Sequence, residues 1–120
     1  MTIERNEAFW QALDALVSQS QLIIDRPKST HHPHFPEIIY PVDYGYLKGT
    51  TSMDKGGIDV WRGTDPSGMI DAIIVTVDLM KKDSEIKILI GCTPEEKWLI
   101  LDFFNKGEYM KGILIKRNTL

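Results

Sequence analysis

Between residues 6 and 19, Phe9, Ala12, Leu13, Leu16 and Val17 recur at helical spacing behind Asn6, which stands where an N-cap belongs. That pattern predicts an amphipathic helix. The periodicity then changes. Gln21 to Arg26 holds an unbroken apolar run, Leu22-Ile23-Ile24, that fits a short strand. Pro27, Pro33 and Pro36 make residues 27–37 a loop, because each removes a backbone donor and fixes φ. Further short strands are predicted at Ile38-Ile39-Tyr40, Ile58-Asp59-Val60-Trp61, Ile70 to Val77 and Glu85 to Ile90. Gly45, Gly49, Gly56-Gly57, Gly63 and Asp65-Pro66-Ser67-Gly68 supply turn chemistry between them.

The clearest element is a second helix. Thr93 and Glu96 have the spacing of a capping box, Pro94 takes the first helical position, and Gly107 ends the segment. Trp98, Leu101 and Phe104 would bury one face. Gly112-Ile113-Leu114-Ile115 reads as a last strand. Several short strands with a helix near each end predict an α+β fold, a small barrel with helices packed on it.

Composition narrows the class. The chain has 120 residues, 42% hydrophobic and 26% charged, which suits one globular domain over 1–120. A net charge of −3 offers no basic face for nucleic acid. No apolar run has membrane-spanning length, and the first residues have no signal-peptide pattern. The single cysteine, Cys92, rules out an intrachain disulfide and suits a reducing compartment, so the chain reads as cytoplasmic. With no His or Arg near it in sequence, Cys92 reads as a small buried hydrophobe.

Candidate chemistry begins with the acids. Asp54 and Asp59 flank Gly56-Gly57, and a turn leading into a strand would let both carboxylates point to one place. Asp78, Asp83 and Glu85 form a second acidic group, interleaved with Lys81, Lys82 and Lys87. Carboxylates gather hard cations and lysines balance phosphate, the mixture that phosphoryl transfer uses. The plainer reading is a set of solvated turn residues. His31, His32 and His34 lack a fourth partner for zinc and read as a polar loop near a cleft. Tyr40, Tyr44 and Tyr46 share a face by alternation and would pack with wet hydroxyls. Arg26 is either a solvated charge or a phosphate clamp.

Ile24-Asp25-Arg26-Pro27, His32-Pro33, Tyr40-Pro41-Val42-Asp43-Tyr44-Gly45-Tyr46-Leu47, Gly49-Thr50 and the span from Asp54 to Asp59-Val60 together resemble family I soluble inorganic pyrophosphatases, in particular their short branch. The resemblance covers roughly residues 22–106 and implies a closed OB-like β-barrel. It implies Mg²⁺-dependent hydrolysis of inorganic pyrophosphate by a metal-bound water. Asp54, Asp59, Asp83 and Glu85 would be metal ligands, with Asp78 the alternative to Asp83. Arg26, Tyr44 and Lys87 would bind substrate, and Asp54, Asp59 and Lys87 would carry catalysis. The partner would be pyrophosphate or a related small phosphoanhydride. Members commonly form hexamers or dimers, and no residue here decides the assembly. Two departures weaken the expected activity. Gly56 stands where the family has an acid that orients or deprotonates water, and Gly57 stands where proline is common. The late tyrosine of a Tyr-Lys pair is missing near Lys106-Gly107, where Tyr109 and Lys111 are the nearest substitutes. The alternatives are a catalytically impaired phosphate-binding pseudoenzyme and a hydrolase of another phosphoanhydride.

Overall fold

A computed structural model describes residues 6–52 and 56–117, and the first of these caps a helix. The Asn6 side chain accepts the Phe9 N–H at 3.2 Å and opens α1 (Glu7–Ser18). The remaining elements are β1 (Gln21–Arg26), β2 (Asp43–Lys48), β3 (Ile58–Arg62), β4 (Ala72–Asp78), β5 (Asp83–Ile90), α2 (Pro94–Asn105) and β6 (Met110–Lys116). The chain is therefore α+β, with two helices and one six-stranded sheet in the order β1-β2-β3-β5-β4-β6. All neighbouring strands are antiparallel except β3 and β5. That parallel junction sets the β2–β3 hairpin beside the β4–β5 hairpin. Pairing stops at β1 on one side and β6 on the other, so the described sheet is open and its ladder does not close into the expected barrel.

Strand alternation sends successive side chains to opposite faces. Val60, Ile73, Ile88 and Ile90 meet Trp10 and Leu13 of α1 on one face. Trp61, Ala72, Ile74 and Leu89 meet Ile100 and Phe104 of α2 on the other. The central strands are covered on both sides, which explains why β4 and β5 read as nearly continuous apolar runs rather than alternating ones.

Several expected details shift. The buried stripe of α1 runs through Trp10 and Leu13, while Phe9 and Ala12 are exposed. On α2 the buried positions are Glu96, Ile100 and Phe104, and Trp98 is 65% exposed. Ile38–Tyr40 is not a strand: only an isolated bridge joins His31 and Ile39. The ladder instead uses Asp43–Lys48, beginning two residues after Pro41, which has no N–H to donate. Among the described residues, no helix is long and apolar enough to cross a membrane.

Candidate functional site

On the α2 face the apolar floor ends where the helix ends, and polar side chains take over. Alternation aligns Tyr44 and Tyr46 on β2, Asp59 on β3, Thr76 and Asp78 on β4, and Asp83, Glu85 and Lys87 on β5. Val60 pairs with Ile88 across the parallel junction, so Asp59 sits one step along from it, against Lys87. All of these residues line one cleft of about 990 Å³. Its walls are Arg26, the loop from His32 to Tyr40, and the end of α2 with Phe103, Phe104, Lys106 and Gly107.

Lys87 is the centre of the floor. It is only 5% exposed, and its Nζ donates to Asp59 Oδ2 at 2.6 Å, Glu85 Oε2 at 3.0 Å and Tyr44 Oη at 3.4 Å. Burial alone would lower its pKa, but the Asp59 and Glu85 carboxylates outweigh that and hold it above the ordinary lysine value. Lys87 is therefore a buried cation at neutral pH. Burial, then the Asp59 charge and its hydrogen bond, push the Tyr44 phenol up as well, so Tyr44 keeps its proton. Tyr44 stacks on Tyr40 at 5.4 Å and packs on Trp61 at 4.5 Å between ring centroids. The Arg26 guanidinium donates to the Tyr40 hydroxyl and lies 5.5 Å from that ring's centroid.

The sequence-derived site residues separate into three groups. Asp59, Glu85, Lys87 and Tyr44 converge within hydrogen-bonding contact. Arg26 and Asp83 line the same cleft, with Asp83 facing Asp78 at the end of the β4–β5 ladder. Asp78 is committed elsewhere: its Oδ1 accepts the Met80 and Lys81 N–H groups at 2.9 and 3.1 Å and shapes the turn. Asp54 lies outside the described residues. Tyr109 and Lys111 do not line the cleft. Lys111 Nζ donates to the Asn105 and Gly107 carbonyls at 3.0 and 2.8 Å, offsetting the negative end of the α2 dipole. Among the histidines, His32 and His34 line the cleft, as a polar loop should. Gly56 lines it too, while Gly57 has φ +94°, where proline's fixed φ of about −65° does not fit.

Residues missed in the sequence are Thr76, Phe35 and Phe103, all in the lining, which also includes Lys106, where the late Tyr-Lys pair was expected. Alternation back from Asp78 would have found Thr76. Phe35 sits in a proline-rich loop with no periodicity to reveal it.

Among the described residues, no group of three or more His, Cys, Asp and Glu side chains is placed to hold a metal ion. Mg²⁺, however, is commonly held by one or two carboxylates with water and substrate phosphate completing its shell. Asp59 and Glu85 already share one cation, the Lys87 ammonium, and their oxygens are of the hard type Mg²⁺ takes. The donor set fits Mg²⁺ in kind. The carboxylates lining the cleft outnumber its lysines and arginine, a balance that by itself disfavours a bare phosphate anion.

No protein-family model matches the chain, and no curated protein matches it.

Proposed function

We propose that the cleft binds and hydrolyses a small phosphoanhydride, with pyrophosphate as the first candidate and Mg²⁺ as cofactor. One observation carries this reading: a buried lysine held as a cation between two carboxylates, beside a protonated tyrosine, on the floor of a cleft with an arginine on its wall. Lys87 presents a fixed positive charge to a phosphate oxygen, and Asp59 and Glu85 fix its position. Tyr44 offers an O–H donor, and Arg26, steadied by Tyr40, offers planar donors to a second phosphate. Asp59 and Glu85 would hold Mg²⁺, which when bound screens phosphate charge and acidifies water. Phe103 and Phe104 close the side under α2 and exclude solvent there.

The resemblance to family I pyrophosphatases supports the same reading. The closed OB-like barrel implied by that resemblance needs β1 to meet β6, and that pairing is absent from the described ladder.

Phosphate release from pyrophosphate, with and without Mg²⁺, tests the proposal. Mg²⁺-dependent release that Asp59→Ala abolishes is expected. Release no greater than that of the Asp59→Ala protein overturns it.

A second reading is favoured by Gly56, which lines the cleft and has no side chain to accept a proton. Loss of a dedicated general base lowers rates about 10²–10⁴-fold. A phosphate-binding pseudoenzyme would show pyrophosphate binding by calorimetry without turnover, and Gly56→Asp would raise the rate. Turnover at ordinary enzyme rates excludes it.

A further inference from the structure

A run of rings leads from the charged floor to the mouth of the cleft. Tyr44 and Tyr40 stack at 5.4 Å with planes 26° apart. Tyr40 and His32 follow at 6.3 Å and 13°. His32 and Phe35 end the run at 5.2 Å and 48°. Beyond Tyr40 the rings become progressively more open: Tyr40 is 3% exposed, His32 half-buried and Phe35 55% exposed. Phe35 therefore rests against His32 and leaves much of its ring open in a wall that also carries Glu37. Its contact with His32 occupies only part of the ring, and the rest faces the cleft wall.

Size and polarity agree. The cleft, at about 990 Å³, reaches the top of the range of about 300–1,000 Å³ that small-molecule sites occupy. Two joined phosphates on the floor leave most of it empty. His32 Nδ1 accepts the His34 and Phe35 N–H groups at 3.0 and 3.2 Å, so the ring is neutral with its proton on Nε2. Burial and the nearby Arg26 charge hold its pKa below the ordinary histidine value, in agreement. The wall thus combines an aromatic face, an N–H donor at His32 and a carboxylate acceptor at Glu37. A heteroaromatic ring uses all three, whereas an alkyl chain uses only the apolar surface.

We propose that the cleft takes a nucleoside diphosphate, with the diphosphate toward Lys87 and Arg26 and the base against the open face of Phe35. This rests on the phosphoanhydride reading of the floor and adds what the substrate carries beyond its phosphates.

Binding rather than turnover separates the two. Calorimetry with Mg²⁺ compares methylenediphosphonate, its butyl ester and adenosine 5′-(α,β-methylene)diphosphate on the whole chain. The adenosine compound should bind about tenfold more tightly than methylenediphosphonate, within what base–aromatic stacking supplies. Phe35→Ala, at an exposed loop position, should bring the two affinities together, with urea unfolding confirming that the variant is folded. Equal affinities in the parent protein, an equal gain from the butyl ester, a gain that survives Phe35→Ala, or no binding by any compound overturns the base site. Pyrophosphate turnover with equal affinities would leave the floor reading standing and remove only the base site. A base-dependent gain without turnover would do the reverse.

Discussion

Lys87 is the residue on which stability and chemistry meet. Its ammonium is buried with two carboxylates, and an ion pair in that setting is costly to break from one side. Removing the lysine leaves Asp59 and Glu85 facing each other with nothing between them. Lys87→Met should therefore lower unfolding stability by about 3 kcal/mol, read from urea titration. It should also weaken diphosphate binding by about tenfold or more, read by calorimetry. The pH dependence has a definite sign. The folded pKa of Lys87 is raised, so its stabilisation is complete below the unfolded value of about 10.4 and fades as pH rises through the folded pKa. Tyr44, also raised, adds loss in the same direction from about pH 10. The urea midpoint should fall with rising pH above about 10, less steeply in Lys87→Met than in the parent. A flat profile in the parent would contradict the buried, charged lysine.

At the scale of elements, α2 is tied to the sheet by its first turn. Thr93 Oγ1 accepts the Glu96 N–H at 3.2 Å, and Glu96 Oε1 accepts the Thr93 N–H at 2.8 Å. The same carboxylate accepts the Thr64 N–H at 3.1 Å, just after β3. Gly63 permits this approach, since a Cβ there would collide with the Gly91 carbonyl and the Glu96 carboxylate. Glu96→Ala removes the reciprocal cap and strands three donors, the Thr93 and Thr64 N–H groups and the Thr64 hydroxyl, so a loss of about 2 kcal/mol is expected by thermal unfolding. A change within the error of the melt would show that water replaces the carboxylate. This box was legible in the sequence because Thr93, Pro94 and Glu96 are local signals. The α1 span and the strands β1, β3, β4 and β5 were legible from apolar runs. β2 was not, because Pro41 and Gly45 break its alternation and its pairing with β1 and β3 is a long-range fact. The convergence of Asp59 with Glu85 and Lys87 was expected from the resemblance, and from local spacing alone it was legible only as residue types. Their contact depends on the parallel β3–β5 register, which no local spacing encodes.

At the scale of the molecule, the sheet separates two layers with different tasks. α2 and the cleft share one face, and α1 lies on the other, held by Trp10 and Leu13 in the core and by Arg117 just after β6. Arg117 donates to Glu7, reaches Asp14 Oδ1 and the Ile70 carbonyl at 3.1 Å each, and lies 6.0 Å from the Trp10 ring centroid. The contacts with Glu7, Asp14 and Trp10 join residues more than a hundred positions apart, yet none of these residues lines the cleft. Between the layers, Val60, Leu89 and Ile74 are fully buried and hold β3, β5 and β4 rigid from both sides. Arg117→Ala should thus loosen α1 by itself. Hydrogen exchange followed by mass spectrometry should show faster exchange in residues 7–18 and little change in β3 to β5. Methylenediphosphonate affinity should stay within error of the parent. Faster exchange in β5, or weaker binding, would mean that the helix on the far face helps to set the position of Lys87 through the sheet.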